Sequence, residues 1–93
     1  MATVVDGEYE WDDAKAASNL LKHGVAFEEA MTVFSDDAAV VFADALHPDH
    51  AITLGFSVRT HVLCVVTTET ADRTRIISAR RATAAEHRLY HEE

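Results

Sequence analysis

The sequence predicts an α+β fold: an antiparallel β-sheet with two helices from the N-terminal half packed on one face, and a C-terminal helix. Three observations predict it. A helical stretch over residues 12–24 starts at an acidic cap and stops at a glycine. The β-branched run His61 to Glu69 lies between two further strand-like segments joined by short turns. Thr83 precedes Glu86 by three residues, the capping-box spacing that opens a helix. With 93 residues and 48% hydrophobic content, the expectation is one domain with a modest core.

Taken in order, Gly7 to Trp11 reads as a first strand with Tyr9 and Trp11 on one face. Asp12 or Asp13 then caps a helix to about His23, because a carboxylate satisfies the open amides of the first turn, and Gly24 supplies the left-handed stop. Ala14, Ala16, Ala17, Leu20 and Leu21 form its apolar face, with Lys15, Asn19 and Lys22 on the other. A second helix is expected from Phe27 to Phe34, burying Phe27, Ala30, Met31 and Phe34. Ser35 to Asp37 turns into a strand at Ala38 to Phe42, and Asp44 to Asp49 is a loop containing the single proline. Strands follow at His50 to Val58, His61 to Glu69 and Arg73 to Ala79, and Thr83 opens the last helix.

Charge is segregated along this frame. The first 58 residues carry two lysines against eleven acids, a balance of −9, whereas residues 59–91 carry six arginines against Glu69, Asp72 and Glu86, a balance of +3. Such polarity implies one anionic and one cationic working surface. The net charge of −8 speaks against tight, general binding to RNA or DNA but leaves room for a local basic cleft. No apolar run approaches the ~20 residues that span a bilayer. The opening Met-Ala-Thr-Val-Val-Asp-Gly-Glu lacks the basic and apolar regions of a signal peptide, and the lone Cys64 fits a reducing compartment. A cytoplasmic protein without membrane contact is expected.

Arginine is the residue type that points to chemistry. Its guanidinium is permanently charged, and its planar fork of donors matches phosphate oxygens. Strict alternation along Arg73 to Arg81 places Arg73, Arg75, Ile77 and Ala79 on one face and Thr74, Ile76, Ser78 and Arg80 on the other. Arg59, opening the preceding hairpin, approaches the same region. In phosphodiester cleavage these groups would stabilise charge on the non-bridging oxygens while others move protons, and an RNA 2′-hydroxyl can be the nucleophile without a metal. The structural alternative is pairing with the abundant acids. His87 and His91, four apart on a helix, and His47 and His50, beside Pro48, have metal-ligand spacings, but no further ligands stand at zinc-site spacing. Solvated histidines and a small buried Cys64 are the simpler readings. Tyr9 and Trp11 can stack on a base or join the core, and His23 and Tyr90 are candidate proton-transfer groups with structural alternatives. Phosphate-cradling glycine loops, nucleophile elbows and dinucleotide fingerprints do not occur with only Gly7, Gly24 and Gly55.

Two segments together carry a family resemblance. One is Glu10-Trp-Asp-Asp-Ala-Lys15, Asn19-Leu-Leu-Lys-His-Gly-Val25, Phe27-Glu-Glu-Ala30 and Val33-Phe34. The other is Arg75-Ile-Ile-Ser-Ala-Arg-Arg-Ala82 followed by Glu86 and Tyr90. In order and spacing they resemble the BrnT family of toxins from bacterial type II toxin–antitoxin pairs, over roughly residues 10 to 90. The resemblance implies a RelE-like ribonuclease fold and inhibition of translation by metal-independent RNA cleavage without a cofactor, the RNA free or ribosome-bound. It also implies neutralisation by a BrnA-like ribbon-helix-helix antitoxin in a 2:2 complex, with operator DNA bound only through the antitoxin. Carried onto this chain, it designates Arg59, Arg75, Arg80, His23 and Tyr90 as catalytic and Lys22, Arg73 and Arg81 as substrate-binding. The chain departs from the family pattern at Thr70-Ala71, at Ala84-Ala85 and in its acidity. Those departures weaken RNA affinity and leave a second reading, an antitoxin-binding co-regulator without ribonuclease activity.

Overall fold

The computed structural model of the chain describes residues 2–92. Its first two strands, β1 (Thr3–Asp6) and β2 (Tyr9–Asp12), form a hairpin that turns at Gly7, where φ is 61°. Gly7, expected to open a strand, has a left-handed backbone that makes it the turn instead, and β1 is an element the sequence does not predict. Asp12 then caps α1 (Asp13–His23) by accepting the Lys15 amide at 3.1 Å, and Gly24 stops it at φ 70° with its amide bonded to the Leu20 carbonyl. The expected second helix is interrupted. One turn, α2 (Phe27–Ala30), tightens into a 3₁₀ segment, Met31–Ser35, so that Val33 becomes fully buried and Met31 and Phe34 only partly so. The tightening is matched by Gly55, where an added Cβ would lie 2.8 Å from Val33 Cβ.

The remaining strands are β3 (Val40–Ala43), β4 (His50–Phe56), β5 (Val62–Glu69) and β6 (Thr74–Arg81), followed by α3 (Ala84–His91). They build one six-stranded sheet in the order β1-β2-β6-β5-β4-β3. The α+β class holds, and the sheet is antiparallel except where β2 runs parallel to β6. The first two helices pack on one face over a core of Trp11, Val25, Phe27, Ala30, Val33, Leu63, Val65, Ile76 and Ala79. Trp11 meets Phe27 edge-on, with ring centroids 6.0 Å apart. On the other face, α3 lies against β4.

Of the predicted inward face of α1, Ala16 packs against the core but the leucines do not. Leu20 and Leu21 are 50% and 91% exposed, and Asn19 is the buried residue. The sheet supplies the reason. Strand β2 pairs with β6 at Thr74 and Arg75, after which the chain turns away into α1. The outer edge of β6 beyond that point needs another partner. Asn19 provides it: its amide nitrogen donates to the Ala79 carbonyl at 2.8 Å and the Val25 carbonyl at 3.0 Å, and its oxygen accepts the Ala79 amide at 3.2 Å.

Replacing Asn19 with Leu should therefore destabilise the fold by about 3 kcal/mol, because two backbone groups of Ala79 lose their partner inside the protein. Leu21→Ala should change stability by less than about 0.5 kcal/mol. Urea unfolding of the two variants checks the contrast, and the reverse order would restore the predicted apolar face.

Candidate active site

The β6 arginines are dealt onto two faces by a bulge. Val66 aligns with Ser78 but Thr67 aligns with Ile76, so Ile77 is an extra residue on β6. Arg75 and Arg80 stand opposite Thr68 and Cys64, which share a face of β5. They therefore share a face with each other, contrary to strict alternation, while Ile76, Ala79 and Arg81 take the other. Arg75 is ion-paired with Glu10, its register partner across β2 and β6. Arg80 Nη1 and Nη2 donate to the two oxygens of Glu86 at 2.7 and 2.9 Å. Arg73 donates weakly to the Gly7 carbonyl at 3.4 Å. Arg59 does not join the β6 cluster. It lines a depression with Leu20, Gly24, Ala26, Glu28, Glu29 and Val58, near the end of α1 where Lys22 and His23 are exposed.

One arginine, Arg81, does enter a constellation. Its Nη2 donates to His61 Nε2 at 2.8 Å, and His61 Nδ1 lies 3.1 Å from Glu29 Oε2. A guanidinium has no lone pair to offer, so Nε2 must be the acceptor and Nδ1 must carry the hydrogen donated to Glu29. The contacts thus fix the tautomer as well as the ring. Ser57 locks the loop that presents it: its hydroxyl donates to the same Glu29 oxygen at 2.6 Å and accepts the His61 amide at 3.3 Å. Within this loop Thr60 sits at φ 64°, a left-handed conformation costing a β-branched residue about 1–3 kcal/mol. The strain is stored one residue before His61.

His61 and Arg81 open into a cleft of about 370 Å³ that Phe56, Thr60, Val62, Ala82, His87 and His91 complete. Helix α3 makes the roof, and two carboxylates hold it. Glu86 closes a capping box with Thr83 and at the same time grips Arg80, which holds its carboxyl down at about 2. At the far end the Tyr90 hydroxyl donates to Asp36 Oδ2 at 2.6 Å. Asp36 also accepts the Phe56 and Ala38 amides, and the phenol hydrogen bond, the strongest influence, lowers its pKa. The same bond pushes the Tyr90 phenol up to about 12. Cys64, beneath Arg80 and Glu86, is raised to about 11 chiefly by burial, which leaves it a thiol and a poor nucleophile.

Of the sequence-selected residues, Arg80 and Tyr90 thus fasten α3, Arg81 reaches the cleft, and Arg59, Arg73, Arg75, Lys22 and His23 lie elsewhere. Sequence reasoning missed Glu29 and His61. Glu29 gave no local signal, whereas His61 was legible: strands β5 and β6 align Leu63 with Arg81, which brings the residue just before β5 beside that arginine. Among the described residues, no group of three or more His, Cys, Asp or Glu side chains is placed to hold a metal ion. Nor is any helix there long and apolar enough to cross a membrane.

Comparison with known proteins adds two findings. A family model described as "Ribonuclease toxin, BrnT, of type II toxin-antitoxin system" matches residues 11–86. The crystal structure of the Brucella abortus ribonuclease toxin BrnT superposes with a TM-score of 0.65 at 24% identity, covering 78% of this chain and 92% of that chain. At that identity the likeness bears on the fold. No curated protein matches the chain significantly.

The Tyr90–Asp36 bond sets a pH limit on the roof. A phenol whose folded pKa is raised contributes stability that is full below its ordinary value near 10 and is lost as pH rises through about 12. Ultraviolet titration of the wild type minus Tyr90→Phe should show a phenol ionising near 12; a midpoint near 10 would mean the hydrogen bond does not form.

Proposed function

The chain belongs to the BrnT family of ribonuclease toxins of type II toxin–antitoxin systems, and on that premise we propose that it is a metal-independent endoribonuclease whose active site is the cleft between α3 and the β4–β5 hairpin. The observation that carries this reading is the Glu29–His61–Arg81 chain ending in that cleft. Arg81 is the guanidinium best placed for an incoming phosphate, since Arg75 and Arg80 are already engaged by Glu10 and Glu86.

A phosphodiester drawn to Arg81 competes with His61 for its donors. As the guanidinium turns to the non-bridging oxygens, His61 Nε2 is released with its lone pair toward the cleft. It then accepts the proton of the 2′-hydroxyl, while Glu29, at Nδ1, stabilises the resulting imidazolium. The 2′-oxygen bonds to phosphorus, the bond to the 5′-oxygen breaks, and the leaving oxygen takes a proton from an α3 histidine, His87 or His91. A 2′,3′-cyclic phosphate and a 5′-hydroxyl result. Arg81 stabilises the charge that grows on phosphorus-bound oxygens between these events. We place Arg59, Lys22 and His23, grouped around the end of α1, along the flanking phosphates, with Arg73 more distant.

A type II system implies an antitoxin partner. The finer reading is a BrnA-like ribbon-helix-helix antitoxin in a 2:2 complex, which alone touches operator DNA. The acidic first half of the chain supports it, because an anionic surface suits a basic partner and speeds their encounter. Cleavage of messenger RNA, free or on the ribosome, would inhibit translation in the cytoplasm, in the manner of RelE-like enzymes. The engaged Arg75 and Arg80 and the net charge of −8 favour one alternative, a co-regulator that binds antitoxin without cleaving RNA.

Cleavage of single-stranded RNA by purified protein separates the two. Wild type should cut in the presence of EDTA, and His61→Ala and Arg81→Ala should each slow cutting by about 10²-fold to 10³-fold. Soluble, folded wild type that leaves RNA intact would select the co-regulator. Cutting that persists in both variants would move the site.

A further inference from the structure

Phe56 closes β4 opposite Val62, yet its side chain remains 42% exposed. Three depressions meet at this one ring. The first is the cleft of His61 and Arg81. The second, about 350 Å³, is lined by Phe56, Tyr90, His91 and Ala38, three of the four being aromatic. The third, about 430 Å³, lies toward Thr32, Asp36 and Val58. The Phe56 backbone is fixed: its amide donates to Asp36 Oδ2 at 2.8 Å, the same oxygen that holds the Tyr90 hydroxyl. One carboxylate therefore sets both aromatic residues, and the Tyr90 and His91 rings meet edge to face at 5.0 Å.

An exposed aromatic wall separates an arginine-bearing cleft from an aromatic-lined depression, and the two share Phe56 and His91. That juxtaposition fits the two halves of a nucleotide, phosphate on one side and base on the other. Single-stranded nucleic acid is bound in this way, by cationic contacts to phosphate and by stacking of unpaired bases on aromatic rings. We infer that the depression of Phe56, Tyr90 and His91 is a base subsite, which takes the unpaired base beside the scissile phosphate by stacking on Phe56.

The chemistry of the walls sets its selectivity. Stacking serves every base, and the Tyr90 hydroxyl is already spent on Asp36, so the subsite tolerates sequence. It rejects duplex RNA, whose bases are not available to stack. This inference rests on the reading of the neighbouring cleft as a ribonuclease site, and its test keeps the two apart.

Wild type, Phe56→Leu and Phe56→Trp are compared in cleavage of a single-stranded oligoribonucleotide and in binding of its uncleavable 2′-O-methyl analogue. Phe56→Leu should raise KM and weaken analogue binding about 10-fold to 100-fold with kcat little changed, and Phe56→Trp should restore both. An abasic residue beside the scissile linkage should weaken wild type to the same degree and Phe56→Leu no further. If nothing is cleaved but analogue binding still follows the aromatic residue, the nuclease reading fails and the subsite stands. Cleavage and binding indifferent to Phe56→Leu overturn the subsite, as does a Phe56→Leu variant that loses only antitoxin binding, which would make this ring a protein-docking surface.

Discussion

The structure depends on how the second half of β6 is treated after β2 leaves it. A strand edge inside a packed domain must have its amides and carbonyls satisfied, and here one side-chain amide does what a neighbouring strand would otherwise do. Asn19 ties α1, the following loop and Ala79 together through three hydrogen bonds. With that edge closed by a helix, the last two residues of β6 are held in register against β5 and project to opposite faces. Arg80 is sent toward α3 and Arg81 toward His61. The bulge at Ile77 sets this phase; without the extra residue the two arginines would exchange faces.

The same scaffold accounts for the acidity of a protein from a nuclease family. Several carboxylates are committed to local work rather than to a diffuse surface field. Asp12 caps α1, Glu10 pairs with Arg75, Glu86 and Asp36 fasten the two ends of α3, and Glu29 orients His61. Two of these, Glu86 and Asp36, sit close to the cleft without lining it, each held ionised by donors that point at it. The permanent positive charge among the residues lining the cleft is the Arg81 guanidinium. For the proposed ribonuclease site that is a small charge for holding RNA, so the proposal rests on base stacking more than on long-range attraction.

Legibility from sequence followed the range of the interaction. Asp12 and Gly24 marked both ends of α1, and Thr83 with Glu86 marked the start of α3, because caps are short-range hydrogen bonds written within a few residues. The strands from His50 to Arg81 were readable from β-branched composition and turns. What escaped was set by partners far away in the chain. Leu20 and Leu21 mimic an inward stripe, and only the incomplete pairing of β6 makes Asn19 the buried residue. An extra residue in a strand leaves no mark on its own alternation, so the faces of Arg75 and Arg80 were assigned by a period that the bulge breaks. Glu29 and His61 lie 32 positions apart and acquire meaning only when α2 meets the β4–β5 loop.

In the proposed site Arg80 acts through Glu86, by holding α3 over the cleft, while Arg81 and His61 meet the substrate. A double-mutant cycle of Arg80→Gln and Glu86→Gln, read in RNA cleavage rate alongside hydrogen exchange of the α3 amides, tests this directly. Either substitution and the pair together should slow cleavage by the same factor, with equal loss of α3 protection. Loss from Arg80→Gln far exceeding that from Glu86→Gln, with α3 protection unchanged, would put Arg80 itself on the phosphate and contradict it.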